Sequence, residues 1–212
     1  MNAQRIPFTI HLTGDAEPGC GIGSEIINDF VPRTADGHPC LQASHLRGLI
    51  RQNLYDLEEH HQWPGLSDIV LGAPGIDGSA GHAGAIHFTD AAAETNSTAL
   101  VSRTAINQWG TARETSLRTV ELIPAGTQLR GHLTIEATPG SVIDLAARLA
   151  LLMISNVGGN RTRGAGACWI GIEGENRTPG SLLKELEKAI GKSGIPLPPS
   201  TFQKTNPKEF SG

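Results

Sequence analysis

The densest chemistry in this 212-residue sequence lies in nine residues, Gly158-Gly159-Asn160-Arg161-Thr162-Arg163-Gly164-Ala165-Gly166. Glycine lets a backbone turn tightly and come close to a ligand. Successive N–H groups in such a turn can form an anion-binding nest, with Arg161 and Arg163 as flanking cations. A second group runs from Leu41 to Arg51 and reads as the start of a helix. Ser44 is expected to cap it, leaving first-turn N–H groups open to a phosphate. His45 adjoins the cap, and Arg47 and Arg51 share one face at a spacing of four. Gly48 costs the helix about 1 kcal/mol relative to alanine, which predicts a neighbour packed close against it. A third group, Ser102 to Asn107 with Ala112-Arg113-Glu114 and Leu117 to Leu122, reads as a basic hairpin carrying Arg103, with Trp109 near its tip. Every basic residue before Lys184 is an arginine, whose planar fork suits phosphate contact. The glycine segment runs from helix to strand and lacks the Gly-Lys-Ser/Thr of a phosphate-binding P-loop, so it is not read as a nucleotide-triphosphate site.

The elements that position these groups are legible in the apolar spacing. Arg5 to Thr13 alternates with period two and reads as a strand; Leu41 to His61 carries helical spacing. Gly14 to Pro39 and Trp63 to Gly84 read as long glycine-rich loops. Strands are expected at Ala85–Asp90, Thr127–Ala137 and Ala167–Glu173, and helices at Ser141–Ser155 and Ser181–Ile190. Ala99–Asn107 and Ser116–Ile123 form two arms around a turn at Gln108–Thr111. Setting that hairpin aside leaves the order βαββαβ, an α+β fold of ferredoxin-like (RRM-like) arrangement with one antiparallel sheet. The reading is a single domain over 1–195, with an insertion about 95–125 and a mobile C-terminal tail over 196–212.

Composition narrows the function classes. The 26 glycines and 13 prolines follow no period, which excludes a collagen-like chain. Three cysteines without a C-x-x-C read as small, partly buried residues, neither a disulfide framework nor a zinc ribbon. No apolar run approaches a membrane span, and the first residues lack a signal peptide's apolar core, so the expected home is cytoplasmic, with no membrane partner. The net charge is −4, but residues 1–100 carry four arginines against twelve acids, while 101–166 carry seven against four. A net acidic chain binds nucleic acid only through a local groove or inside an assembly.

Taken together, these segments resemble the RAMP superfamily of CRISPR-associated proteins, in particular the Csm/Cmr-like backbone subunits of type III effector complexes. Leu41 to Arg51 is similar to the family's Ile-Pro-Gly-Ser-Ser-Leu-Lys-Gly-x-x-Arg segment, departing from it at Gln42-Ala43 and at His45. Arg103 to Asn107 and Glu121 to Thr127 resemble the family's thumb segment, with its later Glu-x-x-Pro-x-Gly-Thr. Gly84 to Ala91 resembles its short strand ending in Asp-Ala, and Gly158 to Gly166 its late glycine loop.

The resemblance implies a palm, a thumb hairpin and a stack of identical subunits along a guide RNA (crRNA), alongside other CRISPR effector subunits and a complementary target. In that reading the RNA is held by Ser44, His45, Arg47, Arg51, Arg103, Trp109, Gly158, Gly159, Asn160, Arg161, Arg163, Gly164 and Gly166. No cofactor is needed for binding, and Mg2+ only if target cleavage occurs. The family's cutting Asp falls at Gly23, so the expected subunit does not cleave target RNA. Glu25, Asp29 and Asp15 are the carboxylates for the alternative, a target endoribonuclease. Glycine at 23 is expected to admit an Asp, so that Gly23→Asp restores regular cuts. Two further readings remain: a guide-processing endoribonuclease using a histidine such as His11 or His45, and a scaffold whose glycine loops bind a small anion.

Overall fold

The computed structural model describes residues 3–74, 81–113 and 116–193. In chain order the strands are β1 (Gln4–Leu12), β2 (Cys40–Leu41), β3 (Gly72–Ala73), β4 (His82–Ala83), β5 (Ile86–Phe88), β6 (Ala91–Ala93), β7 (Ala99–Arg103), β8 (Arg118–Leu122), β9 (Gln128–Ile135) and β10 (Cys168–Ile172). The helices are α1 (Ala43–His61), α2 (Leu66–Leu71), α3 (Val142–Leu152) and α4 (Pro179–Ser193), with one 3-10 turn at Arg161–Arg163. The main sheet runs β10-β1-β9-β6-β2, with β5 also on β9, and every pairing in it is antiparallel.

Period-two alternation makes this sheet one-sided. In β1, Ile6, Phe8, Ile10 and Leu12 are buried, while Arg5, Pro7, Thr9 and His11 face the other way and are more exposed. Register carries the pattern across: Ile10 pairs with Ile170 and Leu129, both buried. The buried face meets α1 through Leu46, Ile50, Leu54 and Leu57, and α3 through Leu145, Ala146, Leu149 and Ala150. Each fully buried leucine stabilises the core by roughly 1.5–3 kcal/mol. α4 packs on α3 and buries Leu182 and Leu186. Cys40 and Cys168 are buried free thiols, and Cys20 is half-buried.

Several expectations change here. The segment Trp63–Gly84 is not one loop: it holds α2 and the small β3–β4 pair. Leu66, Val70 and Leu71 are buried, and that apolar cluster was too short to show a helical period. β2 and β6, of two and three residues, were also missed; Ala91–Ala93 lacks the β-branched residues that mark strands. α3 stops at Leu152, short of Ser155, while its predicted cap at Ser141 accepts a bond from the Asp144 N–H. α4 begins two residues before Ser181. The tail over 196–212 lies outside the described residues.

Candidate nucleic-acid interface

The glycine loop starts six positions after the end of α3 and folds back onto the segment Asp15–Glu17. Gly158 N–H donates to His45 Nε2 at 2.9 Å. Gly159 N–H donates to the Glu17 carbonyl and Gly166 N–H to the Asp15 carbonyl, both at 2.7 Å. Two glycines are obligatory. A Cβ on Gly166 would lie 1.7 Å from the Val157 carbonyl oxygen, and one on Gly158 would lie 2.9 Å from the Glu17 backbone. Both also have positive φ, +69° and +81°.

The expected nest of open N–H groups is therefore corrected. Arg163, Gly164 and Ala165 donate within the loop itself, so together with Gly158, Gly159 and Gly166 most of its N–H groups are already engaged. Asn160, Arg161 and Thr162 form the exposed crest, and Arg163 and Gly164 are exposed with them. Anion contact at this loop thus rests on side-chain cations more than on backbone.

The hairpin β7–β8 stands beside that crest. Its tip is closed by Asn107, whose Oδ1 accepts from Trp109 N–H at 2.9 Å and Thr111 N–H at 3.1 Å. Trp109 is 79% exposed, as its expected position at the tip requires. Between hairpin and loop lies a cleft of about 500 Å³ lined by Arg103, Arg113, Arg118 and Arg163, together with Asn160 and Glu17. Glu17 is buried; its Oε2 accepts from Asn160 Nδ2 at 2.8 Å, and its Oε1 pairs with Arg103. One carboxylate thereby ties hairpin to loop. Arg113, Arg118 and Glu17 were not singled out as site residues. The two arginines were visible as hairpin charges, but nothing in the spacing placed Glu17 opposite a segment some 140 positions away.

The start of α1 differs from expectation at four positions. The N-cap position is Gln42, with extended φ −64° and ψ 143° and no side-chain bond, so Ser44 lies inside the first turn. Ala43 N–H donates to Asp90 Oδ1 at 2.8 Å, and the His45 and Leu46 N–H groups donate to the Gln42 carbonyl. A carboxylate and a carbonyl thus hold three of the N–H groups expected to face a phosphate. Arg47 turns to the Leu71 carbonyl at the end of α2. Gly48 is exposed with nothing within 4 Å of a built Cβ, so no neighbour explains it. Arg51 is half-buried and Ser44 exposed on the same helix. His45 accepts from Gly158, and burial, then the Arg161 charge, push its imidazole below the ordinary value.

Two of the three candidate carboxylates are bonded to backbone N–H groups. Asp29 Oδ1 accepts from Gly21 N–H at 2.9 Å, and its carboxylate lies against Gly19. Asp15 Oδ1 accepts from Ala125 N–H at 2.9 Å. Glu25 is exposed. Among the described residues no group of three His, Cys, Asp or Glu side chains is arranged to hold a metal ion. A Cβ on Gly23 would sit 2.4 Å from the Asn28 carbonyl oxygen and 2.6 Å from that of Ile27. The expectation that this glycine already admits an aspartate is overturned: the loop folds back on position 23 and leaves no room.

Comparison with known proteins gives a consistent family. The RAMP superfamily model matches residues 11–169. No curated protein sequence matches significantly. Among solved structures, a chain of a type III-B Cmr-beta complex in the apo state aligns with TM-score 0.64 and 16% identity, covering 81% of this chain and 98% of that one. A chain of the type III-B Cmr-beta complex bound to cognate target RNA aligns with TM-score 0.60 and 15% identity, covering 80% and 97%. A chain of a type IV-B CRISPR complex aligns with TM-score 0.59 and 12% identity, covering 82% and 92%.

Proposed function

This chain belongs to the RAMP superfamily, and on that premise we propose that it is a guide-RNA-binding backbone subunit of a CRISPR effector complex. The observation that carries the reading is the cleft between hairpin and glycine loop. Four arginines from two chain segments converge there against one carboxylate. Guanidinium forks facing one groove match a phosphate backbone, and a local groove of this kind is what a net acidic chain needs to bind RNA.

In this reading the hairpin is the family's thumb. Trp109 at its tip stacks on or wedges a guide–target duplex, a contact worth ~1–3 kcal/mol. The order β10-β1-β9-β6, with α1 and α3 as the two crossing helices, supports a ferredoxin-like palm in one domain over 1–195, with the thumb inserted at about 95–125. The partners are a crRNA, a complementary target, other copies of the chain and other effector subunits, in the cytoplasm. The type III-like motifs favour a type III effector complex as the assembly. The subunit grips RNA without cutting it and needs no Mg2+ to do so. Two observations support that: Asp29 and Asp15 are engaged with backbone N–H groups, and position 23 has no room for a carboxylate.

The test is co-purification. The chain expressed beside a CRISPR array is expected to carry RNA of guide sequence through a salt wash, and Arg113→Ala with Arg163→Ala to lose it. Protein that purifies free of RNA while remaining folded, and binds inorganic phosphate instead, would support the small-anion scaffold and sink this reading.

A further inference from the structure

We propose that His45 is a positioning residue that fixes the glycine loop in its RNA-gripping shape, and that it does so only as the neutral imidazole. The proposal rests on the RNA-binding reading and adds to it a proton-sensitive latch. The geometry is specific. Gly158 opens the loop, is buried, and has its N–H on His45 Nε2 at 2.9 Å. It cannot swing to another acceptor cheaply. Its φ is +81°, the Glu17 backbone lies against its Cα, and the next N–H, of Gly159, is held by the Glu17 carbonyl. Arg161 and Arg163 follow within five residues, so the latch sets where both guanidinium groups start.

An imidazole that accepts at Nε2 carries its proton on Nδ1. Protonating Nε2 would place two donors face to face, leave a buried N–H unpartnered, and add a cation beside Arg161. Among the described residues no carboxylate bonds to the ring. On its own helix Arg47 turns to the Leu71 carbonyl. From the neighbouring segments, the Asp90 carboxylate is bonded to Ala43 N–H, Asp15 to Ala125 N–H, and Glu17 to Asn160 and Arg103. Burial and the nearby Arg161 already push this imidazole below its usual range. The neutral form is therefore the native one, and the latch opens only as pH falls below the ordinary imidazole range.

The experiment compares wild type with His45→Ala and His45→Gln. Gln places an amide oxygen near the former Nε2 position and does not titrate. Two readouts are taken between about pH 7.5 and about pH 5.5: hydrogen exchange of the Gly158 amide without RNA, and anisotropy of a labelled single-stranded RNA. Expected for wild type is a protected Gly158 amide at the upper pH that loses protection at the lower, after correction for intrinsic exchange. RNA affinity should fall in parallel. His45→Ala should lack protection throughout and bind RNA on the order of fivefold more weakly at the upper pH, the worth of one hydrogen bond. His45→Gln should restore most of both and remove their pH dependence. The sign is diagnostic, because positive charge gained by a histidine near the RNA would by itself favour binding, not weaken it. Wild-type affinity in His45→Ala, or a pH dependence that persists in His45→Gln, overturns the latch. A wild-type chain that binds no RNA, yet shows the expected Gly158 protection, overturns the RNA-binding reading instead.

Discussion

Glu17 is the acidic side chain among the arginines that line the thumb–loop cleft, and it holds Arg103 while bonding Asn160. Two substitutions should therefore move RNA binding in opposite directions. Arg161→Ala with Arg163→Ala removes about two phosphate contacts, so the slope of log K against log salt should fall by roughly 1.4, at about 0.7 per contact on a single strand. Glu17→Gln keeps an oxygen for Asn160 but frees Arg103, so affinity should rise and the slope should steepen by about 0.7. Anisotropy titrations across a salt series read both; weaker binding by Glu17→Gln would mean that the carboxylate orders the arginines instead of masking one. Position 23 carries the second prediction at this scale. Gly23→Asp must push its Cβ into the Ile27 and Asn28 carbonyls, so it should neither restore regular cuts nor leave the loop undisturbed. A labelled matched RNA incubated with magnesium should stay intact with wild type and with Gly23→Asp. Regular fragments from wild type that vanish in Glu25→Ala or Asp29→Ala would establish the subunit as a nuclease.

The thumb is anchored as an element by Glu121 at the end of β8. Its Oε2 accepts from Val31 N–H at 2.9 Å, and its Oε1 accepts from Arg33 and from Thr98 Oγ1, each at 2.6 Å. Burial pushes this carboxyl up, yet the bonds from Thr98, Val31 and Arg33 outweigh it and hold it below the ordinary range. A depressed carboxyl stabilises the fold above its unfolded value, near about 4.3, and that contribution is lost as pH falls through the folded value. Glu121→Ala should therefore cost about 1–3 kcal/mol near neutrality, and its deficit against wild type should shrink on acidification below about pH 4.3. Thermal unfolding at several pH values checks it; a deficit constant with pH would assign the effect to packing alone. The Glu-x-x-Pro-x-Gly-Thr run was visible from sequence as a motif. That its glutamate reaches back some 90 positions to close the first loop was not, because a hydrogen-bond partner leaves no trace in local spacing.

Across the whole molecule the tip of the thumb stands clear of the core, although the base of its second strand is buried. The buried cluster is built from the main sheet with α1, α2, α3 and α4, while the hairpin tip exposes Ile106 at 66% and Trp109 at 79%. Deleting residues 107–112 should leave the unfolding free energy within about 0.5 kcal/mol of wild type, as for surface changes away from buried contacts, while lowering affinity for a guide–target duplex. A collapse of the unfolding transition would show that the tip belongs to the core. The sequence by itself determined the strands β1, β9 and β10, the helices α1, α3 and α4, and the glycine loop and the hairpin turn. Those follow from periodicity and glycine, which act over a few neighbouring residues. Only the tertiary structure decided the rest: that Asp90 rather than Ser44 meets the start of α1, that Arg47 faces α2, that His45 latches Gly158, and that Glu17 joins loop to thumb. Each of these is a contact between segments distant in the chain. A polar side chain takes whichever partner the packed core brings within hydrogen-bond reach, and that partner is set by the way sheet and helices stack, not by its neighbours in sequence.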